Sequence, residues 1–264
     1  MKTKLGVNGA LGRMGQRIIQ LAHEDKSLHL VAATDFAGHP DQGRDIGETA
    51  GIGKLDVSVT AIIPLNVHPE VVIDFSMADG TMTVLKTCIE RRIPLVVATT
   101  GHTDAQTRDI EAAAHHTAIL FAPNMSLVVN VLFKLVREAG LALKDKGFDV
   151  EIIERHHRYK KDSPSGTALH FAKVIQDAMG DMPIRHGREG LVGERPAKEI
   201  GMHAVRSGDN VGEHTILFST LGETMELVHK GHTRDAYVRG ALQAAKFLAT
   251  KGPGRYAMAD VLGL

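Results

Sequence analysis

The stretch Lys4-Leu-Gly-Val-Asn-Gly-Ala-Leu-Gly-Arg-Met-Gly15 decides the fold of the first half of the chain. Its first five residues predict a short buried strand. Gly9, Gly12 and Gly15 follow every third residue, a pattern typical of the turn between a strand and a nucleotide-binding helix. Glycine at these places permits a tight turn, close approach of a pyrophosphate to the backbone, and close packing of helix against strand.

A helix is predicted from this turn to about His23, followed by a second strand over Leu28–Thr34. Asp35 stands at the end of that strand, twenty residues after Gly15, where an acid can accept hydrogen bonds from a ribose hydroxyl. The glycine pattern alone is weak, but strand, helix, second strand and acid occur in the required order. The sequence therefore predicts a dinucleotide-binding β-α-β unit.

Three further strands alternate with predicted helices in the first half of the chain. They are Val71–Phe75, Leu95–Ala98 and Ala118–Ala122. Each ends in polar residues, namely Ser76, then Thr99 and Thr100, then Asn124. Because the carboxyl ends of parallel strands form the ligand crevice, these residues are candidates for cofactor contacts. Such residues also occur in ordinary turns, but their recurrence at one end of the sheet favours the cofactor.

A cationic segment follows a predicted buried strand in the second half. Val150, Ile152 and Ile153 predict the strand, Arg155–Lys161 is the ionisable run, and Ser163–Thr167 lies where the next helix begins. The free N–H groups of a first helical turn bind anions, and His and Lys transfer protons near neutral pH. We expect a site for a small carboxylate or phosphate here. A solvated basic loop without chemistry is the alternative.

The rest of the second half lacks the regular alternation of the first. Its other predicted elements are a helix over about 127–145, an exposed loop over 180–200, strands at Met202–Arg206, Thr215–Thr220 and Thr224–His229, and a final helix over Asp235–Thr250. Strands without helices between them predict a mixed or antiparallel sheet. The predicted fold class is α/β: a Rossmann-type parallel-sheet domain, residues 1–126 with 236–264 returning to it, and an α+β domain with a mixed sheet, residues 127–235.

Composition excludes several classes of function. Lys+Arg and Asp+Glu both number 31 and Trp is absent, so neither nucleic acid nor a membrane surface is an expected partner. No apolar run is long enough to span a bilayer, and a cytoplasmic protein is expected.

Cys88, the single cysteine, lies on the apolar face of a predicted helix and is expected to be a buried thiol. No metal site is predicted, because His115 and His116 would face different ways on a helix.

Four motifs, in order along the chain, resemble those of the 4-hydroxy-tetrahydrodipicolinate (dihydrodipicolinate) reductase family. They are Gly-Ala-Leu-Gly-Arg-Met-Gly at 9–15, Asp-Phe-Ser at 74–76, Thr-Thr-Gly at 99–101 and Glu154-x-His-His-Arg-x-Lys-x-Asp-x-Pro-Ser-Gly-Thr-Ala168. The last is the most specific. The resemblance implies reduction of a small cyclic dicarboxylate in the diaminopimelate route to lysine, with NADH or NADPH as cofactor, by a homotetramer joined through the sheets of the second domain.

By motif position, the resemblance implies that His156 is the catalytic acid/base and Lys160 the proton donor. The implied substrate contacts are His157, Lys160, Ser165, Gly166 and Thr167. The implied cofactor contacts are Gly9, Ala10, Leu11, Gly12, Arg13, Met14, Asp35, Phe36, Ala98, Thr99, Thr100, Ala122, Pro123, Asn124 and Met125.

The chain departs from the usual family pattern around the cofactor. Phe36 stands where many members carry Arg, and Ala98 and Met125 replace a common Gly and Phe. The Asp35 carboxylate would repel the 2′-phosphate of NADPH, and Arg13 is the one nearby cation that remains. We therefore expect NADH to be preferred, with NADPH still accepted.

Two alternatives remain open from the sequence. One is another Rossmann oxidoreductase of a small carboxylate, such as a semialdehyde dehydrogenase, whose chemistry needs a positioned cysteine nucleophile. Cys88, in the middle of a predicted helix, is badly placed for that role. The other is a non-enzymatic sensor of NAD(H), which would not need His156 and Lys160. Turnover of NADH with the expected substrate distinguishes them.

Overall fold

The computed structural model describes residues 2–264, which form two compact units. One unit runs to Leu127 and includes Asp235–Gly263, and the other is Val128–Arg234. Each unit has its own sheet and its own hydrophobic core. Within residues 2–264, no helix has both the length and the apolar character needed to cross a bilayer.

The first unit is built from alternating strands and helices. In chain order they are β1 (Thr3–Asn8), α1 (Arg13–Glu24), β2 (Leu28–Thr34), α2 (Ile46–Thr49), β3 (Val59–Thr60), β4 (Val71–Asp74), α3 (Ala78–Arg91), β5 (Leu95–Val97), α4 (Asp104–Ala113) and β6 (Ala118–Phe121). The second unit contains α5 (Leu127–Leu143), β7 (Asp149–His156), α6 (Gly166–Met179), β8 (Ile184–His186), β9 (Ile200–Arg206), β10 (Gly212–Thr220) and β11 (Glu223–Gly231). The chain then adds α7 (Asp235–Leu248), β12 (Gly254–Tyr256) and α8 (Met258–Leu262) to the first unit.

The sheet of the first unit has seven strands in the order β12-β6-β5-β4-β1-β2-β3, and every neighbouring pair is parallel. Its central strands β4 and β5 are buried on both faces because α1 and α7 pack on one face and α3 and α4 on the other. The order reverses at β1, so the strand ends there form a crevice. The predicted Rossmann-type parallel sheet is confirmed.

Two glycines of the predicted turn are required by the fold. Gly9 has a φ of +74°, and a Cβ there would lie 2.6 Å from the carbonyl oxygen of Phe75. A Cβ on Gly15 would lie 2.1 Å from the carbonyl oxygen of Gly9, so any larger residue would push α1 away from the turn. Both findings agree with the roles predicted for these positions.

The sheet of the second unit is mixed, as predicted. Its order is β11-β10-β7-β9-β8, with β7 antiparallel to β10 and parallel to β9. Helices α5 and α6 cover one face, where Ile152, Phe171 and Phe218 are fully buried. The alternate residues of β7, including Glu151 and Ile153, point to the other face and are half-buried. Among the described residues of this unit, no helix covers that second face.

The prediction of a long exposed loop over 180–200 is wrong in part. Residues Ile184–His186 form β8, which pairs in parallel with β9. Beyond it, Arg188 and Arg195 both donate to Oε1 of Glu151, each at 2.9 Å. Sequence periodicity could not reveal this, because the ion pairs join residues about forty positions apart.

Candidate active site

The glycine turn leaves the N-terminus of α1 open to an anion. Gly12 is the N-cap and offers no side chain, and the first helical turn carries no acid. The free N–H groups and the partial positive charge of such a helix end favour a phosphate. Arg13, which begins the helix, is exposed, whereas Ala10 and Leu11 have buried side chains. The N–H groups of Ala10 and Leu11 donate to the Thr34 carbonyl and to Asp35 Oδ2.

Asp35 connects the end of β2 to the glycine turn. Its Oδ2 accepts a hydrogen bond of 2.8 Å from the Leu11 N–H, and its Oδ1 accepts one of 2.9 Å from the Phe36 N–H. Each carboxylate oxygen has a second lone pair, so the acid keeps acceptor capacity for a ribose. The Phe36 ring is 62% exposed and packs edge-on against His39.

A fully buried carboxylate, Asp74, joins the ends of β1, β4 and β5. It accepts hydrogen bonds from four side chains: Asn8 Nδ2 at 2.7 Å, Ser76 Oγ at 2.6 Å, Thr81 Oγ1 at 2.6 Å and Thr99 Oγ1 at 2.8 Å. The Thr99 hydroxyl thus points into the protein, which leaves its backbone for the predicted cofactor contact. Sequence reasoning missed this anchoring role, although the acid at the end of an apolar strand was visible.

Five of the residues predicted to contact the cofactor line one cleft of about 170 Å³ at this edge of the sheet. They are Ala98, Ala122, Pro123, Asn124 and Met125, joined by Phe75 and Tyr237. Sequence reasoning missed the last two. Tyr237 lies on α7, which packs so closely that a Cβ on Gly240 would fall 1.7 Å from the Met125 carbonyl oxygen. No local signal in the sequence links these distant segments.

In the second unit, the end of β7 carries a buried carboxylate, Glu154, that contacts three partners. It accepts from His156 Nδ1 at 2.5 Å, from the Ser165 N–H at 3.0 Å, and from both terminal nitrogens of Arg206 at 2.8 and 2.7 Å. Burial alone would raise the pKa of Glu154, but the hydrogen bonds from His156 and Arg206 lower it to about 2. The carboxylate is therefore charged near neutral pH.

The predicted helix start is confirmed in position: α6 begins at Gly166, directly after Ser165. Ser165 is the N-cap, and its Oγ accepts from the Ala168 N–H at 3.2 Å and lies 3.2 Å from His214 Nε2. The Ser165 side chain is thus buried and engaged within the protein. Gly166 is exposed, and a Cβ there would meet nothing within 4 Å. The space in front of this helix end is open to a ligand.

Two of the predicted polar residues, His157 and Lys160, precede this helix start in the chain. Lys160 Nζ lies 2.9 Å from Asp162 Oδ1, with the lysine side chain mostly buried. Among the described residues, His157 Nδ1 is buried without a hydrogen-bond partner. Burial, followed by the charge of Arg234, lowers the pKa of His157, so its imidazole is neutral at neutral pH.

A second buried histidine lies against the predicted catalytic one. The His214 ring is 5.3 Å from that of His156 and 6.0 Å from that of His229. Burial, with the nearby charges of His156 and His229, lowers the pKa of His214 to about 3. No local pattern in the sequence indicates that Arg206 and His214, on separate strands, converge on the Glu154–His156 pair.

Cys88 and the adjacent pair His115 and His116 lie outside the site. Cys88 is fully buried, and burial raises the pKa of its thiol, so it is not a nucleophile. This weighs against the semialdehyde dehydrogenase alternative. His115 and His116 are exposed, and no cluster of potential metal ligands occurs within residues 2–264.

The first unit has a doubly wound parallel sheet with an open glycine turn, and the second carries a buried histidine and an open helix start. These features are those of a two-domain pyridine-nucleotide oxidoreductase. The chain matches the family models for the N-terminus of dihydrodipicolinate reductase over residues 3–125 and for its C-terminus over residues 128–262. The chain belongs to the dihydrodipicolinate reductase family.

Relatives from distant organisms support this assignment. The chain is 43% identical over 265 residues to 4-hydroxy-tetrahydrodipicolinate reductase of Syntrophotalea carbinolica, with 99% of each chain covered. It is 45% identical over 268 residues to the enzyme of that name from Rhodopirellula baltica, covering 98% of this chain and 96% of the relative. A solved dipicolinate-bound dihydrodipicolinate reductase from Paenisporosarcina sp. TG-14 shares the fold, with a TM-score of 0.76, 23% identity, and 98% and 99% of the two chains covered.

Proposed function

We propose that this protein reduces 4-hydroxy-tetrahydrodipicolinate to tetrahydrodipicolinate with NADH or NADPH, a step of the diaminopimelate route to lysine. The observation that carries the proposal is identity of 43–45% along nearly the whole chain to relatives named for that activity. The reaction consumes one hydride and one proton and releases one water.

The first unit offers a fitting site for a nicotinamide dinucleotide, which supplies the hydride when bound. The open N-terminus of α1 would bind the pyrophosphate and Asp35 the adenosine ribose. The cleft lined by Phe75, Ala98 and Tyr237 would receive the nicotinamide end. These residues would fix the orientation of the ring and exclude water from it.

The second unit offers the groups that a cyclic dicarboxylate needs. The N–H groups at Gly166 and Thr167 would bind one carboxylate at the start of α6, where the space is open. Lys160 would contact the substrate through its charged ammonium group, and His157 through a neutral ring that can donate or accept a hydrogen bond. Ser165 would act mainly by capping the helix.

His156 and Lys160 would supply the proton chemistry. The His156 ring is buried and its Nδ1 donates to Glu154, so Nε2 would be the atom that exchanges a proton as acid/base. Lys160 would donate the proton that accompanies hydride addition.

Assembly, domain roles and location form part of this proposal. The uncovered face of the β7–β11 sheet would join subunits into a homotetramer, because half-buried Ile153 and exposed Val228 favour burial.

Residues 1–126 with 236–264 would bind nucleotide, and residues 127–235 would bind substrate. NADH would be the better cofactor, and the protein would be cytoplasmic, where its reduced nicotinamide is available.

The decisive experiment measures NADH oxidation by the purified protein with freshly generated 4-hydroxy-tetrahydrodipicolinate. We expect one NADH oxidised for each tetrahydrodipicolinate formed, and no oxidation when the substrate is omitted. A folded protein that binds NADH but shows no substrate-dependent oxidation would contradict the proposal and favour the NAD(H) sensor.

A further inference from the structure

The proposed function uses the buried carboxylate Glu154 only as the partner of His156 Nδ1. It is fully buried at the end of β7 and separated by one residue from His156. A buried carboxylate is costly unless its oxygens are paired, and a glutamine or an apolar residue would avoid that cost. The hydrogen bonds that offset this cost therefore indicate what the carboxylate positions.

The contacts of Glu154 connect both halves of the proposed substrate site. Oε2 accepts from His156 Nδ1 at 2.5 Å, which fixes the plane and tautomer of that ring. Oε1 accepts from the backbone N–H of Ser165 at 3.0 Å, which fixes the start of α6. One carboxylate thus determines where the imidazole and the anion-binding helix end lie relative to each other.

Arg206 keeps this carboxylate in place and ionised. Its two terminal nitrogens donate to both oxygens of Glu154, a bidentate geometry that leaves little rotational freedom. The same guanidinium donates to the backbone carbonyl of Asp162 at 2.7 Å, within the loop that carries Lys160. Arg206 therefore also restrains the loop just after Lys160.

We infer that Glu154, held by Arg206, is a positioning residue that directs Nε2 of His156 toward the substrate and presents the Nδ1–H tautomer. This inference rests on the proposed function. Other titratable groups lie near the ring and are not part of this role. They are His157, Lys160, His214 and His229. The test must therefore separate the effect of Glu154 from theirs.

The test compares the wild type, Glu154→Gln, His156→Ala and the double variant by kcat, KM and the pH profile of kcat. Glutamine keeps an acceptor for Ser165 but removes the charge opposite the imidazolium. We expect Glu154→Gln to lower kcat on the order of a hundredfold, with a smaller change in KM, because misplaced reacting groups cost about that much. The basic limb of the pH profile should move to lower pH, because the protonated imidazole loses its counter-charge.

The double variant separates positioning from general damage. If Glu154 acts through His156, adding Glu154→Gln to His156→Ala should lower kcat less than about twofold further. Glu138→Gln, a carboxylate-to-amide change in an exposed ion pair on α5, is the matched control and should leave kcat unchanged. Equal losses of kcat in both backgrounds, or a normal kcat and pH profile for Glu154→Gln, would overturn the inference.

A measurement on the wild type applies if Glu154→Gln does not fold. Protein labelled with ¹⁵N-histidine, with His156 assigned by its loss in His156→Ala, reports the tautomer by nitrogen chemical shift. The inference expects the Nδ1–H tautomer in neutral His156, and the Nε2–H tautomer overturns it. A wild type without turnover but with the Nδ1–H tautomer would contradict the proposed function and leave the geometric inference supported.

Discussion

Oδ2 of Asp35 accepts a hydrogen bond of 2.8 Å from the backbone N–H of Leu11, so the acid that would bind a ribose also fixes the glycine turn. This double role affects cofactor choice. A carboxylate fixed so close to the turn cannot swing away from a 2′-phosphate, and the neighbouring Phe36 brings no compensating charge.

We therefore predict that kcat/KM is about tenfold higher with NADH than with NADPH, a difference of roughly 1–2 kcal/mol. Asp35→Asn should narrow the gap, because an amide oxygen can still accept from Leu11 while the charge is removed. The measurement is kcat/KM for both cofactors at two ionic strengths. Equal values in the wild type, or an NADPH preference that weakens with salt, would show that Arg13 outweighs Asp35.

Replacement of either proposed proton-transfer residue should reduce turnover. His156→Ala and Lys160→Ala are each expected to lower kcat on the order of 100-fold or more, with little change in NADH affinity. Lys161→Ala, at an exposed neighbouring lysine, is the control and should keep near-normal kcat. Near-normal turnover of both active-site variants at saturating substrate would show that the roles are assigned to the wrong residues.

Gly166→Ala should separate ligand binding from folding. A Cβ there meets nothing within 4 Å, so the free energy of unfolding should stay within about 0.5 kcal/mol of the wild type. A methyl group in front of the α6 N-terminus should nevertheless raise KM for the substrate. Gly15→Ala, where the Cβ would clash with the Gly9 carbonyl, should instead destabilise the protein. An unchanged KM in Gly166→Ala would place the carboxylate elsewhere.

Stability should fall in mild acid because of His214. Burial, with the nearby His156 and His229, lowers its pKa to about 3, so the folded state holds the neutral ring while the unfolded chain takes up a proton below about pH 6.5. The stability contributed by neutral His214 is complete above that pH and is lost as the pH falls. The loss in the free energy of unfolding is about 2 kcal/mol at pH 5. Urea unfolding at pH 7 and pH 5 measures it.

His214→Phe should reduce the difference in unfolding free energy between pH 7 and pH 5, whereas the exposed control His116→Phe should leave it unchanged. Glu154 and Glu151, each with a pKa lowered to about 2, contribute stability that is lost only below about pH 4.5, so they do not affect this comparison. An identical pH dependence in wild type and His214→Phe would contradict the assignment.

The uncovered sheet face predicts self-association. A tetramer of four chains of 28.5 kDa is expected by light scattering at micromolar concentration. Val228→Lys, on the exposed face of β11, should weaken the assembly without unfolding the subunit. A monomeric wild type would contradict the proposal that this sheet face joins subunits.

Much of this protein is determined by local sequence. The strand-turn-helix at 4–15 and the helix start within 163–167 are confirmed, because strand periodicity, glycine backbone freedom and helix capping depend on neighbours in the chain. The mixed second sheet followed from strands without intervening helices.

Only the tertiary structure decided which distant groups meet. Arg206 lies 52 positions from Glu154, and Tyr237 reaches the cleft from a helix that follows the entire second unit. Long-range packing also turned the hydroxyls of Thr99 and Ser165 inward and made β8 from part of a predicted loop. Hydrogen bonds and ion pairs between strands leave no periodic trace in the sequence, because their partners are set by sheet order and register.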